Sequence, residues 1–118
     1  MIKKIALLGS TGSIGNSTLE SIKNNKKFKI ILLTTNSNIK KIYDQAIKFK
    51  VKNVIIEDKV KYKKYKYIFK KKKINLHLGI KKIKKIIKKK INYCINGISG
   101  IEGLEPSLNM IPLSENFL

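Results

Sequence analysis

Ile5-Ala6-Leu7-Leu8-Gly9-Ser10-Thr11-Gly12-Ser13-Ile14-Gly15 decides the reading of this chain. A short apolar run ends in spaced glycines and passes into a helical pattern. The run reads as a buried strand that delivers the backbone to one point. Gly9 ends it, Gly12 lets the backbone approach phosphates, and Gly15 allows close packing of the following helix. That helix would aim its free N–H groups and positive dipole end at a pyrophosphate. Thr11 and Ser13 add hydroxyl donors. A glycine-rich string is weak evidence alone, but this one follows a strand and opens a helix, as dinucleotide binding requires. A merely structural tight turn is the alternative.

Outward from this loop, strand-like and helix-like segments alternate. Residues 2–8 read as the first strand. Ile14, Thr18, Leu19 and Ile22 recur at helical spacing, closed by Asn24-Asn25. Residues 28–33 form a second apolar run. Asn38 is a good N-cap, and Ile39, Ile42, Tyr43, Ala46 and Ile47 follow as an amphipathic helix. Residues 51–56 read as a third strand. Asp58 can cap a helix in which Tyr62, Tyr65 and Phe69 share a face. Residues 74–78 read as a strand, Ile80, Ile83, Ile86 and Ile87 keep helical spacing, and residues 91–98 are strand-like again. Residues 100–111 suggest a turn and a last helix, with Pro106 near its first turn. This order predicts an α/β fold: a Rossmann-like, doubly wound, mostly parallel sheet. Ligands then bind outside the carboxyl ends of the strands, at the switch point.

Composition narrows the classes. A chain of 118 residues is one domain, large enough for a core but short for a complete nicotinamide-dependent enzyme. The formal charge of +20 would attract polyanions, yet all 27 basic residues are Lys. Nucleic-acid readers favour Arg for bidentate contacts. Heavy use of Lys, Ile and Asn fits drift in an A/T-rich genome better than selected nucleic-acid binding. The Lys runs at 63–73 and 81–90 keep an apolar period and read as solvated helix faces. The lone Cys94 reads as a buried, inert thiol in a reducing compartment. With no secretory signal and no run of roughly 20 apolar residues, a cytoplasmic, bacterial protein without a membrane partner is expected.

Two further segments are candidate contacts. Thr34-Thr35-Asn36-Ser37-Asn38 ends the second strand, where an Asp or Glu would hold the ribose 2′-hydroxyl of NAD. No acid is near in sequence, and Lys40 and Lys41 follow, which favours NADPH over NADH. These residues could equally form only a turn and a helix cap. Asn96-Gly97-Ile98-Ser99-Gly100, continuing to Pro106, could pass close to a ligand or be only a loop.

Gly-Ser-Thr-Gly-Ser-Ile-Gly followed by Asn16-Ser17-Thr18-Leu19 resembles the N-terminus of the 1-deoxy-D-xylulose 5-phosphate reductoisomerases. Asn96-Gly97-Ile98-Ser99-Gly100 with Gly103-Leu104-Glu105-Pro106-Ser107-Leu108 resembles that family's second signature, at the expected separation. The resemblance implies NADPH-dependent chemistry of the non-mevalonate isoprenoid pathway. The substrate rearranges on a divalent metal (Mg or Mn), and NADPH reduces the product to 2-C-methyl-D-erythritol 4-phosphate. It carries cofactor contacts onto Thr11, Gly12, Ser13 and Ile14, and onto Asn36, Ser37 and Asn38. It also implies a homodimer. The family's second cluster usually reads Gly-Lys-Asn or Gly-Arg-Asn. Here Asn36 replaces the Gly and would tolerate left-handed backbone, while Ser37 replaces the basic residue, for which Lys40 or Lys41 could substitute.

The family continues into a strand and Ala-Asn-Lys-Glu-Ser, which the tail from Pro112 to Leu118 does not match. The expectation is therefore an NADPH-binding domain at 1–111 and a divergent or truncated tail at 112–118, with the final strand and the catalytic and C-terminal domains missing. The expected chain binds cofactor without turnover, has no catalytic residue and supplies no metal ligand. Glu102, Glu105 and Glu115 read as solvated loop carboxylates. His77, alone in an apolar strand, reads as a satisfied structural histidine. The rival readings are another NADP-dependent reductase such as a semialdehyde dehydrogenase, a basic nucleic-acid-binding protein, or a remnant of a decaying gene.

Overall fold

Strand β1 (Lys3–Leu8) sets the architecture because both its faces are apolar. Ile5 and Leu7 enter one core cluster, and Ala6 and Leu8 enter another. A strand buried on both sides needs cover on both, which parallel sheets obtain from helical crossovers. The computed structural model of the chain describes residues 1–98, 106 and 110–118.

Within these residues lies a six-stranded sheet in the order β4-β3-β2-β1-β5-β6. The remaining strands are β2 (Phe28–Thr35), β3 (Asn53–Ile56), β4 (Asn75–Leu78), β5 (Ile91–Asn96) and β6 (Ser114–Phe117). Every pairing is parallel. The order grows outward from β1 to β4, then returns to the other side of β1 for β5. The switch point therefore lies between β1 and β5, beside the glycine loop.

Helices α1 (Ser13–Ile22), α2 (Ile39–Phe49) and α3 (Lys59–Lys71) contribute Leu19, Ile42, Ala46 and Phe69 to the first cluster. Ile80, Ile83, Ile87, Cys94 and Met110 build the second, under a 3₁₀ turn (Ile80–Lys82) and the single turn of α4 (Ile83–Ile86). Each fully buried Leu or Ile contributes roughly 1.5–3 kcal/mol. The predicted caps form: the side chains of Asn38 and Asp58 accept the N–H groups of Lys41 and Lys61. Left-handed Lys50 closes α2.

The structure departs from the sequence reading in three places. The helix expected over 80–87 is a 3₁₀ turn and one α turn, because Ile87 is already extended. Lys88, Lys89 and Lys90 are consequently an exposed connection, not a helix face. The segment read as a tail carries β6, whose Ser114, Asn116 and Phe117 pair with Ile91, Tyr93 and Cys94. Its short polar sequence has no apolar alternation to announce a strand, and the ladder with β5 supplies the structure. The expected helix over 100–111 lies mostly outside the described residues.

Candidate functional site

The glycine loop closes on itself and on its neighbours. Gly9 has φ +69°, and a side chain there would strike Ile98 at 2.7 Å. Gly15 is tighter: an added Cβ would lie 2.3 Å from the Ser10 carbonyl oxygen. Its role is thus to let α1 settle against the start of its own loop. Gly12 differs from both. Its backbone is extended, and the nearest atom to an added Cβ is 3.8 Å away. The protein does not demand a glycine there, so the space lies open to something outside the chain.

α1 also differs from α2 and α3 at its start. Its N-cap is Gly12, with no side-chain cap. The first amides of a helix have no intrahelical acceptor. Here no capping side chain covers them, and Ser13 and Ile14 stand exposed at that end. A helix start of this kind is suited to holding an anion, and it lies next to an open backbone.

Hydrogen bonds fix the loop from two directions. From β2, Thr34 accepts the Gly9 N–H on its hydroxyl at 3.0 Å and the Ser10 N–H on its carbonyl at 2.9 Å. The hydroxyls of Thr35 and Thr11 pair at 2.8 Å. From α2, buried Gln45 accepts the Ser10 hydroxyl at 2.8 Å and donates to the Ser10 carbonyl at 2.9 Å and to Asn16 at 3.3 Å. Thr11 is therefore part of the loop's scaffold as well as a candidate contact. Sequence reasoning missed Gln45; its only signal was a polar residue on the apolar face of α2.

Asn36, Ser37 and Asn38 follow at the carboxyl end of β2, beside the loop. The Asn36 carbonyl accepts the N–H groups of Glu57 and Asp58, each at 3.1 Å. Among the described residues only Lys50 and Lys73 are non-glycines with positive φ, so Asn36 does not serve as a left-handed glycine substitute. Hydrogen bonds from the β3–α3 connection hold this turn instead. Asn38 caps α2 through its side-chain oxygen, which leaves its amide N–H groups as the donors for any second contact. The expectation of no nearby acid also changes, because β3 ends alongside and brings Glu57 and Asp58. Asp58 is committed to its cap, at 3.0 Å from the Lys61 N–H.

A cleft of about 360 Å³ opens at these strand ends, lined by Gly9, Thr34, Thr35, Asn36, Glu57, Ile80, Ile98 and Pro106. It joins the loop, the end of β2 and the start of the second signature. Gly97 itself is packed against protein: its N–H donates to the Leu8 carbonyl at 2.7 Å, and an added Cβ would lie 3.0 Å from that oxygen. Residues 99–105 of that signature, with Glu102 and Glu105, lie outside the described residues.

The remaining singled-out residues have structural surroundings. His77 pairs with Asn53 across β3 and β4 at 3.1 Å, and burial, with Lys82 adding to it, holds its pKa below 6.5. Cys94 is buried and free, its thiol pushed up to about 12 by burial. Glu115 lies on β6, exposed, accepting from Asn92 at 3.2 Å. Among the described residues, no three His, Cys, Asp or Glu side chains converge as a metal set. No described helix is long and apolar enough to cross a membrane.

The comparisons agree with this geometry. The sequence profile of the 1-deoxy-D-xylulose 5-phosphate reductoisomerases matches residues 5–117. The enzyme of that name from Pelagibacter ubique is 42% identical over 117 residues, covering 97% of this chain and 30% of that one. The Zymomonas mobilis reductoisomerase, solved in complex with NADPH, superposes with a TM-score of 0.83 at 29% identity, over 93% of this chain and 29% of that one. A reductoisomerase structure with fosmidomycin and magnesium shares the fold, with a TM-score of 0.87 at 23% identity over 99% of this chain and 30% of that one. The chain thus spans about 30% of the length of these relatives. With its glycine loop and parallel sheet, and with a family match over residues 5–117, it belongs to the 1-deoxy-D-xylulose 5-phosphate reductoisomerase family.

Proposed function

We propose that residues 1–111 form an NADPH-binding unit that serves the reductoisomerase reaction, with 112–118 contributing the edge strand. The carrying observation is the start of α1 behind Gly12, where the protein leaves open space and places no side-chain cap on the first amides of the helix. The pyrophosphate would sit on Gly12, Ser13 and Ile14, and Thr11 would flank it. The adenosine ribose would face Asn36, Ser37 and Asn38. NADPH fits these residues, and when bound it supplies the hydride for a carbonyl reduction. The chain's own part is to bind and orient. The pinned loop holds its amides in place before the cofactor arrives, so little ordering cost falls on binding.

The rearrangement half of the family reaction needs a divalent metal, and the described carboxylates do not converge to hold one. No step through a metal is assigned to this chain. Residues of the full-length relatives beyond the matched portion would supply that chemistry.

Titration of the purified chain with NADPH at low and high salt tests the reading. Binding should persist at high salt and be lost in Gly12→Asp, whose carboxylate would enter the phosphate site without disturbing the fold. Thermal melting of that variant should match the unmodified chain. Binding that disappears with salt, or survives in Gly12→Asp, would mean that lysines merely attract phosphate.

A further inference from the structure

Lys61 reaches from the first turn of α3 to the turn after β2, where its Nζ donates to the Ser37 carbonyl at 2.8 Å. This contact joins residues 24 positions apart, and neither the glycine loop nor the helix caps require it. An ammonium has three donors, so two remain for another acceptor. No carboxylate among the described residues lies within 4.0 Å of it, the only such ion pair being Glu20–Lys23. The partly buried Lys61 therefore presents an ammonium at the turn that no carboxylate among the described residues holds in an ion pair.

That position has a defined meaning in a doubly wound sheet. With a pyrophosphate on the first loop, the adenosine ribose lies at the end of β2, and the charge there selects between a 2′-hydroxyl and a 2′-phosphate. Lys40 and Lys41, the candidates nearest in sequence, line grooves on the two sides of α2, and neither ammonium donates to the turn. Lys40 lines a groove with Tyr43, Tyr65 and Ile68, between α2 and α3. Lys41 lines one with Leu19, Glu20 and Lys48, between α1 and α2. Glu57 faces the cleft with Ile80 and Ile98, which Lys61 does not line.

We infer that Lys61 is the specificity-determining cation of this chain, contacting the 2′-phosphate of NADPH in place of the basic residue that Ser37 replaces. The inference rests on the dinucleotide reading above. It assigns phosphate recognition to a residue on α3 that the local sequence around β2 does not contain.

Binding of NADPH and NADH to the purified chain, followed by nicotinamide fluorescence, tests it. Lys61→Met should weaken NADPH roughly tenfold, as expected for losing a charge-assisted hydrogen bond, and leave NADH unchanged. Lys61→Arg should restore the preference, and Lys40→Met should keep it. Equal weakening of both cofactors, no weakening, or a selective loss in Lys40→Met instead would overturn the assignment. Should Lys61→Met fail to fold, competition on the unmodified chain decides. Adenosine 2′,5′-bisphosphate should displace NADPH at roughly tenfold lower concentration than ADP; equal displacement overturns the role. Loss of binding in Gly12→Asp tests the dinucleotide reading separately. If the unmodified chain binds neither cofactor, both readings fall.

Discussion

The two halves of the candidate site are built in opposite ways. The glycine loop is made by backbone brought against backbone: Gly15 onto Ser10, and Gly97 onto Leu8 and Gly9. The turn over residues 36–38 is made by contacts borrowed from a later connection, with Glu57, Asp58 and Lys61 donating to its carbonyls. In the first half, residue type is imposed by the space available. In the second, the carbonyls and the Asn38 cap do the work, and the side chains of Asn36 and Ser37 are left to function or to vary. Ser37 contributes its carbonyl to the turn, and its side chain takes no part in holding it.

The sharpest break of the comparison is Gly15→Ala. Its methyl would meet three backbone atoms of Ser10 at 2.3–2.5 Å, none of which is a flexible chain end. A loss of about 3 kcal/mol, from overpacking at a site that cannot relax, is expected in urea unfolding. The same change at Gly12, where the site is open, should leave the unfolding midpoint in place. If the two glycines proved equally tolerant, the loop would not be held as described.

Gln45→Leu removes the α2 arm of the scaffold while keeping the side chain's bulk. The buried Ser10 hydroxyl then loses its acceptor, and the Ser10 carbonyl and the Asn16 side-chain oxygen lose a donor. A cost of about 2 kcal/mol is expected, with faster amide hydrogen exchange across residues 9–16. Unchanged exchange there would show that β2 alone holds the loop.

The smallest effect belongs to the turn. Asn38→Ala removes a cap whose hydrogen bond is long, at 3.4 Å, so a loss of about 0.5 kcal/mol is expected, at the low end for caps. A much larger loss would mean that the turn is as tightly specified as the loop, and the contrast between the halves would fail.

The loop was legible in the sequence because its constraints are local. Gly9, Gly12 and Gly15 are close neighbours on one strand-turn-helix unit, and the helix pattern starts where the last glycine stands. The central strands were legible for the same reason: burial on both faces makes β1 and β2 continuous apolar runs. β6 was not, since Ser114-Glu115-Asn116-Phe117 owes its conformation to β5. Gln45 and Lys61 were not, since each acts on residues more than 20 positions away.

By itself, then, the sequence determined the alternating α/β order, the place of the glycine loop between β1 and α1, and the family, all of which rest on short-range spacing and on hydrophobic period. Only the tertiary structure decided the strand order that places the cleft beside β1, the packing that makes Gly15 obligatory and Gly12 optional, and the lysine that meets Ser37. Parallel pairing brings the carboxyl ends of distant strands to one edge, and charge and hydrogen bonding there act through space, over separations that linear spacing does not encode.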